Sequence, residues 1–190
     1  MAQKDEIKWN KKYQEKPTLL EIKEPSFKLI KAIENIKGKK ALDIASGAGR
    51  NSIYLASKGF DVEALDISSV ALEALNSKGI KNIKCKLVDL DTYEIEKNYY
   101  DLIVMTNFLD RNIILKLKEA LKKEGVLFIE TYTEDEINEK PTSNSGFLLK
   151  KEELLTFFDN SFEVLEYDEF LNGAEELYKM KKQSIIVRKY

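Results

Sequence analysis

Residues 41–68 read ALDIASGAGRNSIYLASKGFDVEALDIS, and the order of apolar runs, glycines and helical spacing in them decides the fold. A short apolar run (Ala41, Leu42, Ile44, Ala45) enters Gly47-Ala48-Gly49, a helical pattern follows, and a second apolar run closes at Asp66. This is a strand, glycine turn, helix, strand unit. Its chemistry is backbone chemistry, because Gly47 and Gly49 have no Cβ and let the main chain turn sharply and approach a ligand closely. Asp66 ends the second strand about 20 residues after the glycines, where a carboxylate accepts hydrogen bonds from ribose hydroxyls. A nucleoside-bearing ligand is expected, and to this point a dinucleotide would serve equally well.

Two details favour a different ligand. The third glycine of G-x-G-x-x-G, which lets helix and strand close on a pyrophosphate, is replaced by Ser52. Asp43 stands inside the first strand just ahead of the loop. A carboxylate there repels a pyrophosphate but suits an ammonium or a sulfonium, and S-adenosylmethionine carries both. The competing role for Asp43 is to cap the backbone N–H groups of the loop.

With these residues in place the sequence resembles the class I S-adenosylmethionine-dependent methyltransferases. It looks most like the small bacterial tellurite-resistance methyltransferases, whose glycine motif runs into Arg-Asn-Ser and a Tyr-Leu-Ala helix, as Arg50-Asn51-Ser52-Ile53-Tyr54-Leu55-Ala56 does here. Ser46 departs from that pattern, where cysteine is frequent. The resemblance implies an α/β, Rossmann-like sheet of seven strands in the order 3-2-1-4-5-7-6, the last strand antiparallel, with helices on both faces. It implies one domain over residues 1–190, with 1–24 as an N-terminal lid or docking segment.

Composition sets the outer bounds. A chain of 190 residues can bury a full core without disulfides or metal. The single cysteine, Cys85, rules out an internal disulfide and reads as a small buried hydrophobe in a strand. With no histidine, a zinc centre or hydrolase triad is not expected. The net charge of −2 supplies no global positive field for nucleic acid. The lysine runs at 37–40 and 179–182 read as solvated mixed-charge surface. The N-terminus is too polar for a signal peptide and no apolar run approaches the ~18 residues of a membrane span. A soluble cytoplasmic protein, monomeric or a weak homodimer, is the expectation.

Along the chain, residues 5–16 read as a charged helix carrying Trp9 and Tyr13 and stopped by Pro17. Phe27, Ile30, Ile33 and Ile36 suggest a helix ended by Gly38, and residues 68–78 another ended by Gly79. Strands follow at 83–88 and 100–105, a helix on Ile113, Ile114, Leu117, Ala120 and Leu121, and a strand at 126–130. The polar stretch 131–149 is long enough to be functional. A helix over 150–158 and two strands, 162–170 and 184–189, complete the chain, too close in sequence for a crossover and therefore antiparallel.

The resemblance places the cofactor residues by position. Tyr13 would meet the methionine carboxylate, Asp89 the adenine amine, and Leu90 the ring. Asp43, Ala45, Gly47, Gly49, Arg50, Asn51, Asp66, Ile67 and Asn107 complete the cofactor set. The acceptor is expected at the exit of the fourth strand, where no Asn/Asp-Pro-Pro-aromatic motif occurs, which disfavours base and glutamine amino groups. Tyr13, Asp110, Arg111 and Tyr132 are the candidate catalytic residues, with Glu130 a further candidate base. The function implied is metal-free, in-line methyl transfer to a small acceptor such as a thiol or a chalcogen oxyanion. The alternatives are a non-catalytic S-adenosylmethionine-binding protein and an NAD(P)-binding oxidoreductase.

Overall fold

The computed structural model describes residues 2–34, 36–140, 145–173 and 178–190. Among the described residues five α-helices, α1 (Ala2–Glu15), α2 (Phe27–Ala32), α3 (Arg50–Ser57), α4 (Ser69–Asn76) and α5 (Arg111–Ala120), surround seven strands. These are β1 (Lys40–Ile44), β2 (Asp61–Asp66), β3 (Ile83–Leu87), β4 (Tyr100–Thr106), β5 (Leu121–Tyr132), β6 (Phe162–Leu171) and β7 (Lys181–Lys189). They form one sheet in the order β3-β2-β1-β4-β5-β7-β6. The first five run parallel and β7 is antiparallel to both β5 and β6. Among the described residues no helix is long and apolar enough to cross a membrane.

Period-2 alternation sends the central strands to two cores. Leu42, Ile44, Ile103, Met105, Leu127 and Ile129 meet Ile113, Ile114 and Leu117 of α5 on one face. Ala41, Leu102, Val104, Val126 and Phe128 meet Leu29 of α2 and Leu55 of α3 on the other. Asp43 shares parity with Ala41, so the same alternation aims it at α3.

Several elements differ from the sequence expectation. The helix after Pro25 is only six residues long and turns the other way: Phe27 and Ile30 are exposed, while Lys28, Leu29 and Ala32 are buried. Lys28 is held inward electrostatically, since its ammonium reaches Asp168 at 2.7 Å and Glu166 at 3.0 Å on β6, while Ile33 and Ile36 past the helix end still pack on the core. The helix expected over 150–158 is a short 3₁₀ turn, Glu153–Phe157. Strand β7 starts three positions earlier than expected, which takes Lys182 out of the solvated lysine run: it is 4% exposed. Cys85 is half-buried rather than sealed. Parts of two expected loops, 141–144 and 174–177, lie outside the described residues.

Candidate active site

The site lies along the carboxyl ends of the parallel strands. At its centre, the chain leaving β1 takes three left-handed residues, Ala45 (φ 52), Gly47 (φ 55) and Gly49 (φ 86), before α3 begins. Asp66 holds this loop from β2: its Oδ2 accepts from the Gly47 N–H at 2.7 Å and its Oδ1 from the Ser68 N–H at 2.8 Å. Burial pushes the Asp66 carboxyl above its ordinary range, and the N–H groups of Ser68, Gly47 and Ile67 act against that shift.

Asp43 is sealed beneath the loop, 1% exposed, with its Oδ2 accepting from the Ser52 hydroxyl at 2.6 Å. The serine that replaces the third glycine therefore satisfies the carboxylate in the strand. Burial raises the Asp43 carboxyl to about 7; Ser52 and the Arg50 charge lower it by less. Between about pH 4 and 7 the folded chain thus keeps a proton that the unfolded chain has released. The contribution is full below about pH 4 and is lost as pH rises to 7, at up to ~1.4 kcal/mol per pH unit. Urea midpoints at pH 5 and 7.5 are expected to fall with pH more steeply for the wild type than for Asp43→Asn; parallel slopes would reject a titrating Asp43.

Two polar atoms beside the loop, Asn51 Oδ1 and Ser46 Oγ, are buried without a hydrogen-bond partner among the described residues. Asn51 is oriented by its Nδ2, which donates to Thr106 Oγ1 at 2.8 Å and ties α3 to the end of β4. Unpaired buried acceptors next to glycines are what a ligand-binding loop presents.

Helix α1 closes the loop from above. Asn10 Oδ1 accepts from the Ser68 hydroxyl at 2.7 Å and from the Val70 N–H at 3.3 Å, which docks α1 on the start of α4. One turn later Tyr13 packs against Trp9, with ring centroids 6.0 Å apart. Its hydroxyl oxygen lies 2.8 Å from where a Cβ on Gly47 would stand, so a side chain at 47 would displace it. Burial, and next the Asp66 charge, push the Tyr13 phenol up to about 12. It is therefore a hydrogen-bond donor at neutral pH.

The other candidate catalytic residues have these contacts. Asp110 caps α5, accepting from the N–H groups of Asn112 at 2.8 Å and Ile113 at 3.3 Å. Arg111 makes a two-pronged pair with Glu153 at 2.6 and 2.9 Å and donates to the carbonyls of Gly146 and Leu148, pinning the segment after β5. Both make structural contacts in this fold. Tyr132 lies under the Lys182 ammonium, 4.9 Å from its ring centroid. Glu130 is buried against Lys182 at 3.0 Å and accepts from the Ser26 hydroxyl at 2.5 Å.

At the β3 exit Asp89 Oδ1 accepts from the Asp91 N–H at 3.0 Å and stabilises the turn there. Leu90 packs against the core beside it. Asn107, at the β4 exit, accepts from Lys182 Nζ at 2.9 Å through its Oδ1. Sequence reasoning missed Asn10 and Lys182. The available signal for Lys182 was the alternation Lys182, Ser184, Ile186 on one face of a strand read as starting too late.

The sheet order, the antiparallel β7 and a glycine loop bracketed by Asp43 and Asp66 define the class I S-adenosylmethionine-dependent methyltransferase fold. The solved structure of a S-adenosylmethionine-dependent methyltransferase from Methanosarcina mazei shares it, with a TM-score of 0.69 at 19% identity over 88% of this chain and 99% of that one. The chain belongs to the TehB family: the model of the family described as Tellurite resistance protein TehB matches residues 1–187. A relative from Haemophilus influenzae, named probable S-adenosyl-L-methionine-dependent methyltransferase TehB, is 31% identical over 178 residues, which is 85% of this chain and 61% of the relative. The crystal structure of TehB from Haemophilus influenzae has a TM-score of 0.75 at 30% identity, covering 86% of this chain and 62% of that one. This chain thus spans about three-fifths of the length of those two relatives.

Proposed function

We propose that this chain transfers the methyl group of S-adenosylmethionine to a small acceptor, an easily ionised thiol or a chalcogen oxyanion, at the exits of β4 and β5. The observation that carries this reading is the glycine loop held by Asp66, with Asp43 beneath it and Asn51 Oδ1 beside it unpaired. These residues fit the cofactor. Gly47 and Gly49 admit close backbone approach, Asp66 stands where ribose hydroxyls donate, and Asp89 and Leu90 flank the adenine edge of the sheet. Tyr13, kept as a phenol, suits a carboxylate acceptor, and residues 1–24 act as the lid that carries it.

When bound, S-adenosylmethionine supplies a methyl carbon that takes an electron pair from the acceptor while sulfur leaves as a neutral thioether. The chain's own work is then to hold the two in line and exclude water. That needs no strong base, which agrees with a phenol at Tyr13, a capping carboxylate at Asp110 and a paired Glu130.

Isothermal titration tests the reading. The wild type is expected to bind S-adenosylmethionine, and Asp66→Ala to lose ~1–3 kcal/mol of that binding, as for a deleted hydrogen bond to a charged group. Production of S-adenosylhomocysteine with a thiol or selenite would then establish turnover. A folded wild type that fails to bind the cofactor sinks the proposal.

A further inference from the structure

The exit of β4 carries a side chain whose orientation is set from another strand. Asn107 has φ 56, a left-handed conformation that asparagine tolerates, and its N–H donates to the Glu130 carbonyl at 2.8 Å. Its side chain is exposed, and its Oδ1 accepts from Lys182 Nζ at 2.9 Å. An ammonium has donors only, so the amide oxygen must face Lys182 and the NH2 must face away. Lys182 is itself fixed, buried against Glu130 Oε1 at 3.0 Å and over the Tyr132 ring. Parallel register sets Ile44 beside Met105, so Asn107 leaves the sheet beside the strand end that feeds the glycine loop.

We infer that Lys182 is a specificity-determining positioning residue for the methyl acceptor. By taking the carbonyl oxygen of Asn107 it turns the amide N–H donors outward at the β4 exit. The site then receives acceptors that bring lone-pair oxygen, an oxyanion above all. It disfavours an amine, whose own N–H needs an acceptor where the amide oxygen is already engaged. This inference rests on the methyltransferase reading and deepens it by naming the polarity of the acceptor.

The test is NMR of isotope-labelled protein saturated with S-adenosylhomocysteine, reading the Asn107 side-chain amide during titration with sodium selenite and, separately, methylamine. Asn107→Asp, which keeps Lys182 paired, assigns the signal by its loss. Selenite is expected to shift the Asn107 signal saturably and methylamine to leave it in place. Asn107→Asp, which offers only acceptor oxygens, is expected to abolish selenite binding. Lys182→Met with Glu130→Gln, which removes cation and anion together, is expected to weaken selenite on the order of tenfold, as for one lost charge-oriented hydrogen bond. S-adenosylhomocysteine affinity is expected to stay within about twofold in Lys182→Met with Glu130→Gln. An unmoved Asn107 signal in the liganded wild type, or undiminished selenite binding in the variants, overturns the inference alone. Failure of the wild type to bind S-adenosylhomocysteine removes the methyltransferase reading and this inference with it.

Discussion

Replacing Gly49 with alanine is expected to cost roughly 2–5 kcal/mol of folding stability. Two effects add. Gly49 caps α3 at φ 86, and a left-handed backbone costs an L-residue about 1–2 kcal/mol. A Cβ there would also overlap both methyl groups of Leu75, the farther at 2.7 Å, and Leu75 is 2% exposed with nowhere to retreat. Forced repacking of that kind costs about 1–3 kcal/mol. Gly59→Ala separates the two, because Gly59 has φ 82 but a Cβ there meets nothing within 4 Å. Urea denaturation of the three proteins measures the difference. Equal midpoints for the two variants would mean that Leu75 yields, leaving only the backbone cost.

Lys182→Met is expected to destabilise by about 3–5 kcal/mol, the usual result of stripping one partner from a buried ion pair. The large cost comes from what is left behind. Glu130 is 4% exposed and, of its side-chain partners Ser26 and Lys182, would keep only the Ser26 hydroxyl. The pair as a unit contributes much less, since exchanging both charges for neutral groups of like size is often near neutral. Lys182→Met with Glu130→Gln should therefore recover most of the loss. A double-mutant cycle in urea reads this directly, and simple additivity of the two single costs would show that the residues do not act as a pair.

Legibility in the sequence follows how local each cause is. The strands around the glycine loop are short apolar runs closed by turns, and the loop, Asp43, Ser52 and Asp66 lie within one stretch, so their order and chemistry are readable. The burial of α2 is not. It depends on Lys28 meeting Glu166 and Asp168, 138 and 140 positions away, and the helical spacing of Phe27 and Ile30 points the wrong way. The site divides along the same line. Tyr13 is visible as an aromatic in an amphipathic helix, but its seat over Gly47 depends on Asn10 finding Ser68, 58 positions away. Lys182 is hidden because its partner is chosen by antiparallel register, Tyr132 opposite Lys182. Asp110 and Arg111 are ambiguous for the opposite reason: polar residues at a strand exit serve equally as helix cap, loop pin or site residue.

The position of β7 between β5 and β6 has a consequence for biogenesis. It is the last of the seven strands in chain order, yet it fills an interior place in the sheet. Until it is synthesised, β5 has an open edge and Glu130 lacks Lys182, while the parallel strands and glycine loop are already complete. A nascent chain stalled before Lys181 would therefore expose a pairing-competent strand with an unneutralised carboxylate. Such intermediates are the ones chaperones and proteases engage. Completion of the Glu130–Lys182 pair and protection from aggregation are then one event, the insertion of a single hairpin strand.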